Sequence, residues 1–157
     1  MHCSWRQGEF EISTDPHRID LHLVHRFITK SYWANGVPLE TVERSIQGSI
    51  CFGIYDLANQ DLENQGSEKQ VGFARVISDR ATFAYLADVF VIEAYRGQGL
   101  SKWMMACIKS HPQLQGLRRW LLATADAHSL YAQFGFTRLK TPERWMEIHD
   151  SGVYSKI

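Results

Sequence analysis

Read for polarity alone, the chain opens with a mixed stretch, MHCSWRQGEFEISTD, in which apolar residues keep no helical period. From Asp20 to Ser31 the pattern changes: Ile19, Leu23, Phe27 and Ile28 recur near helical spacing, which predicts a first helix over about Asp20–Ser31. The segment Ala34–Pro38 breaks it, and Pro38 stands where the first residue of a second short helix, Leu39–Gln47, would be. A β-rich run then covers Ile50–Asp56, and the polar LANQDLENQGSEK reads as an exposed hairpin loop. Two more strand-like runs, QVGFARVISD and TFAYLADVFVIEAY, are separated by Asp79 to Ala81.

The second half alternates. A helix is predicted from about Gly99 to Ser110, ended at His111 and Pro112 because proline disfavours helix in the residue before it. Arg118–Ala125 is a buried strand by composition, and a short helix over Ala127–Phe134 stops at Gly135, a natural C′ residue. The tail TRLKTPERWMEIHD is expected to add further strand. Antiparallel strands followed by strand–helix–strand–helix–strand imply an α/β (α+β) fold: one domain, 1–157, with a mixed, mostly antiparallel sheet and helices on both faces.

Composition narrows the function. The 157 residues are 45% hydrophobic and 22% charged, an ordinary globular profile, and 17 Lys and Arg balance 17 Asp and Glu without a basic stripe, so nucleic acid is not an expected partner. No apolar run is long enough for a bilayer span and the N-terminus lacks a signal-peptide core; a cytoplasmic protein with no membrane partner is expected. Cys3, Cys51 and Cys107 show neither disulfide nor zinc spacing and read as reduced thiols, the last two buried. The seven histidines have no metal-ligand spacing, so no metal is expected.

The candidate chemistry sits in YRGQGLSKWMM, Tyr95–Met105. Gly97 and Gly99 allow a sharp turn from strand to helix and a close approach of the backbone to a ligand. The helix start offers unpaired N–H groups and a positive dipole end suited to a pyrophosphate, with Arg96 beside it. Lys102 occupies the third position of a would-be GxGxxG, and no GxxxxGK[ST] is present, so neither common nucleotide loop fits. A tight turn without a ligand accounts for the glycines equally well.

In one respect the stretch is more specific. Val91–Ser101 reads VIEAYRGQGLS and resembles the [QR]xxG-x-[GA] motif of the GNAT N-acetyltransferases, with Ala94 and Ser101 as departures. Thr124–Phe136 reads TADAHSLYAQFGF and is similar to the family's later N-x-x-A-x-x-L-Y-x-x-x-G-F, with Thr124 in place of Asn. The resemblance implies acetyl-CoA as co-substrate and transfer of acetyl to a primary amine, on a small molecule or a protein, by direct attack in a ternary complex. It implies that Arg96, Gly97, Gln98, Gly99, Leu100 and Ser101 bind the pyrophosphate, and that Thr124 and the backbone of Val89, Phe90 and Val91 meet pantetheine and thioester. Tyr131 is implied as general acid.

Asp88 interrupts the apolar run LADVFV; such a carboxylate is either paired or functional, and as a base, directly or through water, it could take the proton of an ammonium acceptor. His128 stands three residues before Tyr131 and could share its cleft or merely its helix face. Tyr32 and Trp33 are candidate acceptor-site residues, one of them expected in the core, while Arg75 and Asp79 are undecided. Family members often dimerise, which leaves a homodimer open and the oligomeric state undecided. A CoA-binding module without catalysis, and a transferase for another acyl group, are the alternatives.

Overall fold

The computed structural model describes residues 1–61 and 67–156. Its frame is one six-stranded sheet in the order β1 to β6, antiparallel throughout except for the last, parallel pair. β1 (Ser4–Gln7) and β2 (Phe10–Ser13) form a hairpin around Gly8, whose φ of 59° suits glycine. β3 (Ile50–Asp61) and β4 (Ser67–Ser78) are longer than the polarity pattern predicts, because polar residues at an exposed hairpin end still complete the ladder. The tip of that expected hairpin loop lies outside the described residues.

Two helices come from one side of the chain. α1 (Leu21–Ile28) is capped by Asp20, whose Oδ1 accepts from the Leu23 N–H at 3.0 Å. α2 (Leu39–Gln47) matches its predicted bounds, but Pro38 is its cap in extended conformation rather than its first helical residue. Their apolar faces, Val24, Ile28 and Val42, pack on Cys51, Phe73 and Phe90 of the sheet, with the Phe27 ring stacked 3.9 Å over Phe90. On this face Gly53 lies directly under the Tyr55 ring, where a Cβ would stand 2.4 Å from the phenol oxygen.

The opposite face is covered by α3 (Leu100–Ser110). Leu100, Met104, Met105, Cys107 and Ile108 lock against Phe52, Ile54, Val76 and Leu86, each fully buried apolar side chain contributing about 1.5–3 kcal/mol. Helices therefore flank both faces, as the element order predicts.

The last third departs from prediction. β6 is only Arg119–Leu121, and none of its residues is buried: only one edge meets the sheet, so neither face is closed. α4 (His128–Ala132) is five residues. The tail forms no strand among the described residues; it has 3-10 turns at Pro142–Arg144 and Val153–Lys156 with no regular structure between, since none of the described strands pairs with it.

Candidate active site

β5 (Phe83–Val91) creates the site by losing its register. Arg75 pairs with Ala87 but Phe73 pairs with Phe90, so Asp88 and Val89 together stand opposite Ala74 as a β-bulge. Asp88 carries the bulge at φ 55°, a left-handed conformation that aspartate tolerates better than most residues. On its other edge β5 pairs with β6 only from Phe83 to Tyr85, and among the described residues no further pairing joins the two strands. Beyond Tyr85 they part, and the edge of β5 from Leu86 onward is left open.

Below that opening the chain turns into α3. The Ile92 N–H bonds back to Val71 O at 2.9 Å, while the Val91 carbonyl on the opposite edge accepts from Arg96 Nε at 2.9 Å. Gly97 and Gly99 have φ of 80° and 79°, and a Cβ on either would meet nothing within 4 Å. Backbone conformation, not crowding, therefore requires glycine, and an open surface lies over the turn. A cleft of about 260 Å³ runs along it, with Val91, Arg96, Gly97, Gly99, Leu100 and Ser101 among its walls. Lys102, Leu130 and Gln133 complete it and were not singled out from sequence, although Lys102 lies in the first helical turn after Gly99 and was legible there. Gln98 points elsewhere, its amide donating to Tyr95 O at 3.4 Å.

Tyr131 is positioned by the ends of its own short helix. Phe136 N donates to Tyr131 O at 3.3 Å and Gly135 N to Ala132 O at 3.2 Å, with Gly135 at φ 90°, which is a Schellman stop. Ahead of the helix Thr124 Oγ1 accepts from the N–H of Ala127 at 3.0 Å, so the hydroxyl holds the turn that leads into it, while the helix start itself has no side-chain cap. The Tyr131 ring is buried, edge-on to Phe136. Burial pushes its phenol up to about 12, and the nearby Tyr32 phenol and Asp126 carboxylate push the same way. It holds its proton throughout the neutral range. His128, in the same helix, is exposed.

Across the opening, the loop after α1 supplies aromatics. Ser31 Oγ donates to Ile28 O at 2.6 Å, Gly36 N to Thr29 O at 2.8 Å, and Val37 O accepts from His25 Nε2 at 2.9 Å; these bonds turn the loop outward. Neither Tyr32, 64% exposed, nor Trp33, 41% exposed, closes the core, because the loop's own hydrogen bonds face them outward. Tyr32 Oη accepts from Ala125 N at 3.1 Å, and Trp33 Nε1 donates to Asp88 Oδ1 at 2.9 Å. Arg75 Nε reaches Asp88 Oδ2 at 2.8 Å, and its Nη1 donates to Ser49 Oγ at 3.2 Å. Asp88 is thus a paired carboxylate, as one of the two sequence readings required. Asp79 instead caps the β4–β5 turn, accepting from the N–H groups of Ala81, Thr82 and Phe83.

A donor-lined turn at a helix start, a protonated tyrosine and an aromatic–carboxylate wall thus converge on one parted pair of strands. The model of the acetyltransferase (GNAT) domain matches residues 51–138, more than half of the chain. The chain belongs to the GNAT acetyltransferase family. It is accordingly an acyltransferase of the GNAT type. Its fold matches the crystal structure of a candidate GNAT acetyltransferase from Xanthomonas campestris pv. campestris, 46% identical, with a TM-score of 0.85 over 96% of this chain and 99% of that one. A candidate acetyltransferase of Gibberella zeae is 29% identical over 123 residues, 72% of this chain and 68% of that protein. A candidate acetyltransferase from Clostridium acetobutylicum, solved with acetyl-CoA, shares the fold at 11% identity and a TM-score of 0.58, over 95% of this chain and 96% of that one. Among the described residues of this GNAT chain, no three His, Cys, Asp or Glu group as a metal site, and no helix is long and apolar enough to cross a membrane.

Proposed function

We propose that this GNAT chain transfers an acetyl group from acetyl-CoA to a primary amine by direct attack in a ternary complex. The observation that carries this reading is Tyr131, a buried phenol kept protonated and held by the stop at the end of its helix, one residue after the cleft-lining Leu130. The residues present suit a CoA pyrophosphate: two positive-φ glycines with open space above them, Arg96, Lys102 and the unpaired N–H groups of the first turn of α3. The acetyl-CoA reported with the Clostridium neighbour supports the same assignment.

In this reading the amine nitrogen forms the new N–C bond as the C–S bond breaks. Because Ile92 N–H faces β4, strand alternation turns the N–H of Val91 toward the open edge, where it polarises the thioester carbonyl, and turns that of Phe90, paired with Phe73, back into the β4 ladder. Tyr131 gives its proton to the departing sulfur. Asp88 accepts the proton of the acceptor's ammonium through water, since each of its oxygens retains a lone pair beyond the bond it already accepts. Tyr32 and Trp33 wall the acceptor side. The described thiols are free, which suits the reducing cytoplasm.

The test joins binding to turnover. Acetyl-CoA at 100 times its dissociation constant should stabilise the fold by about 2.7 kcal/mol, and thiol release should follow on addition of one class of amines. Binding without release over a broad amine panel would leave a CoA-binding module; no stabilisation would remove the reading.

A further inference from the structure

Asp56 is a buried carboxylate that the acetyl transfer leaves unused. It sits at a break in the β3–β4 ladder, where Asp56 pairs with Lys69 and Gln60 with Glu68, so that Leu57, Ala58 and Asn59 loop out of the pairing. A buried charge needs donors, and the loop supplies three. Oδ1 accepts from the N–H groups of Ala58 at 3.0 Å and Asn59 at 3.3 Å, and Oδ2 from the Asn59 side-chain amide at 2.6 Å. The fourth donor comes from elsewhere in the chain: Tyr95 Oη, at 2.7 Å from Oδ2. Burial pushes the Asp56 carboxyl up, but the bonds from Asn59 and Tyr95 outweigh it and hold the group below its ordinary value, ionised at neutral pH.

That fourth bond leads to the cleft over the glycine turn. Tyr95 is one of its walls and directly precedes Arg96 and the two glycines. Its ring meets Phe10 of β2 edge-on at 6.0 Å and lies under the Lys69 ammonium of β4 at 5.5 Å, so three neighbouring strands hold one side chain. Among the described residues, every other hydrogen bond of residues 93–99 stays between Val91 and Trp103. A turn with two left-handed glycines has many conformations to choose from, and this bond is its polar tie to the sheet.

We infer that Asp56 and Tyr95 are positioning residues for the CoA pyrophosphate: the carboxylate fixes the phenol, and through it the point on which the N–H groups of the turn converge. This rests on the acetyl-CoA reading above. A carboxylate repels a diphosphate, so the contribution of Asp56 runs through the phenol and not through direct contact. A turn already held in its binding shape loses less freedom when the anion arrives.

Tyr95→Phe tests this, since it removes one hydroxyl and leaves Asp56 its three bonds from the loop. Without ligand, hydrogen exchange at the amides of residues 96–101 should quicken. In calorimetric titrations CoA should bind about tenfold more weakly, the loss expected of one charge-assisted hydrogen bond, while pantetheine, which lacks the diphosphate, should bind as it does to wild type. Asp56→Asn is the second variant and keeps the shape of the side chain. It should weaken CoA as well, whereas charge alone predicts the opposite sign, because removing a carboxylate near an anion strengthens its binding. CoA affinity unchanged or improved in both variants, equal losses for CoA and pantetheine, or unaltered exchange at 96–101 overturns the inference and leaves the acetyl-CoA reading in place. A wild-type chain that binds neither ligand overturns both.

Discussion

The indole N–H of Trp33 donates to the Asp88 carboxylate at 2.9 Å, tying an exposed aromatic of the α1–α2 loop to the one left-handed residue of β5. The bond joins two segments fifty-five positions apart. It gives Trp33 a purpose that its exposure alone would not suggest. Trp33→Phe keeps the ring and removes the donor; a loss of about 1–2 kcal/mol in urea unfolding is expected, as for a hydrogen bond to a charged group. The KM for the amine should rise more than kcat falls. An unchanged unfolding midpoint would mean that the bond is absent in solution.

Arg75 and Asp88 form a largely shielded ion pair, their side chains 15% and 10% exposed. Arg75→Met leaves the carboxylate without its cation, which should destabilise the fold by about 3 kcal/mol. Asp88→Asn should cost less, because asparagine accepts the same left-handed backbone and still bonds the indole. Calorimetric melts of the two variants check the order.

Gly99→Ala places a Cβ at φ 79°, a strain of about 1–2 kcal/mol, while the added methyl touches nothing in the protein. If the turn relaxes to relieve that strain, the N–H groups of the first helical turn move off their common focus. Titration calorimetry should show weaker binding of CoA, and weaker binding of dephospho-CoA by the same factor, since both carry the pyrophosphate.

Tyr131→Phe should fold with near-normal stability and lose at least tenfold in kcat for unactivated thioesters, about 1.4 kcal/mol in transition-state stabilisation. An aryl thioester, whose thiolate leaves without protonation, should lose much less. Equal losses on both substrates would take the general acid role away from this phenol.

Alkaline stability follows from groups whose protons are held by burial. The Cys51 and Cys107 thiols rise from 9.0 to about 12 and the Tyr131 phenol from 10.0 to about 12. Below pH 9 the folded and unfolded chains hold these protons alike. Between about 9 and 12 only the folded chain keeps them, so the unfolding free energy should fall as pH rises through that window. Denaturant melts across it should show a shallower slope for Cys107→Ala, whatever its absolute stability.

The legible parts of this protein were those with local causes. The helices announced themselves by period, and α3 by the glycines and the His111–Pro112 stop that bound it. The bulge at Asp88 was visible only as a charge in an apolar run, since a register shift depends on the partner strand and not on the residues that bulge. The β1–β2 hairpin was missed because each strand is four residues long and at least half polar. The strand expected in the tail has the right alternation, but pairing is a property of two segments, and among the described residues none lies alongside to pair with it. Composition singled out Tyr32 and Trp33 but not the direction they face. Their outward turn comes from loop hydrogen bonds that no periodicity encodes.

The extra residue in β5 also works as a phase shifter. Upstream of it, Ala84 and Leu86 point to the α3 side; downstream, Phe90 points to the α1 side and Val91 back toward α3. Deleting Asp88 or Val89 would therefore leave Phe90 opposite Phe73 and against the Phe27 ring, because removing the extra residue restores plain alternation. What would vanish is the left-handed kink that carries the Asp88 carboxylate to Arg75 and Trp33, which exists only because two residues share one place in the ladder. A one-residue deletion here would spare the core and cost the site.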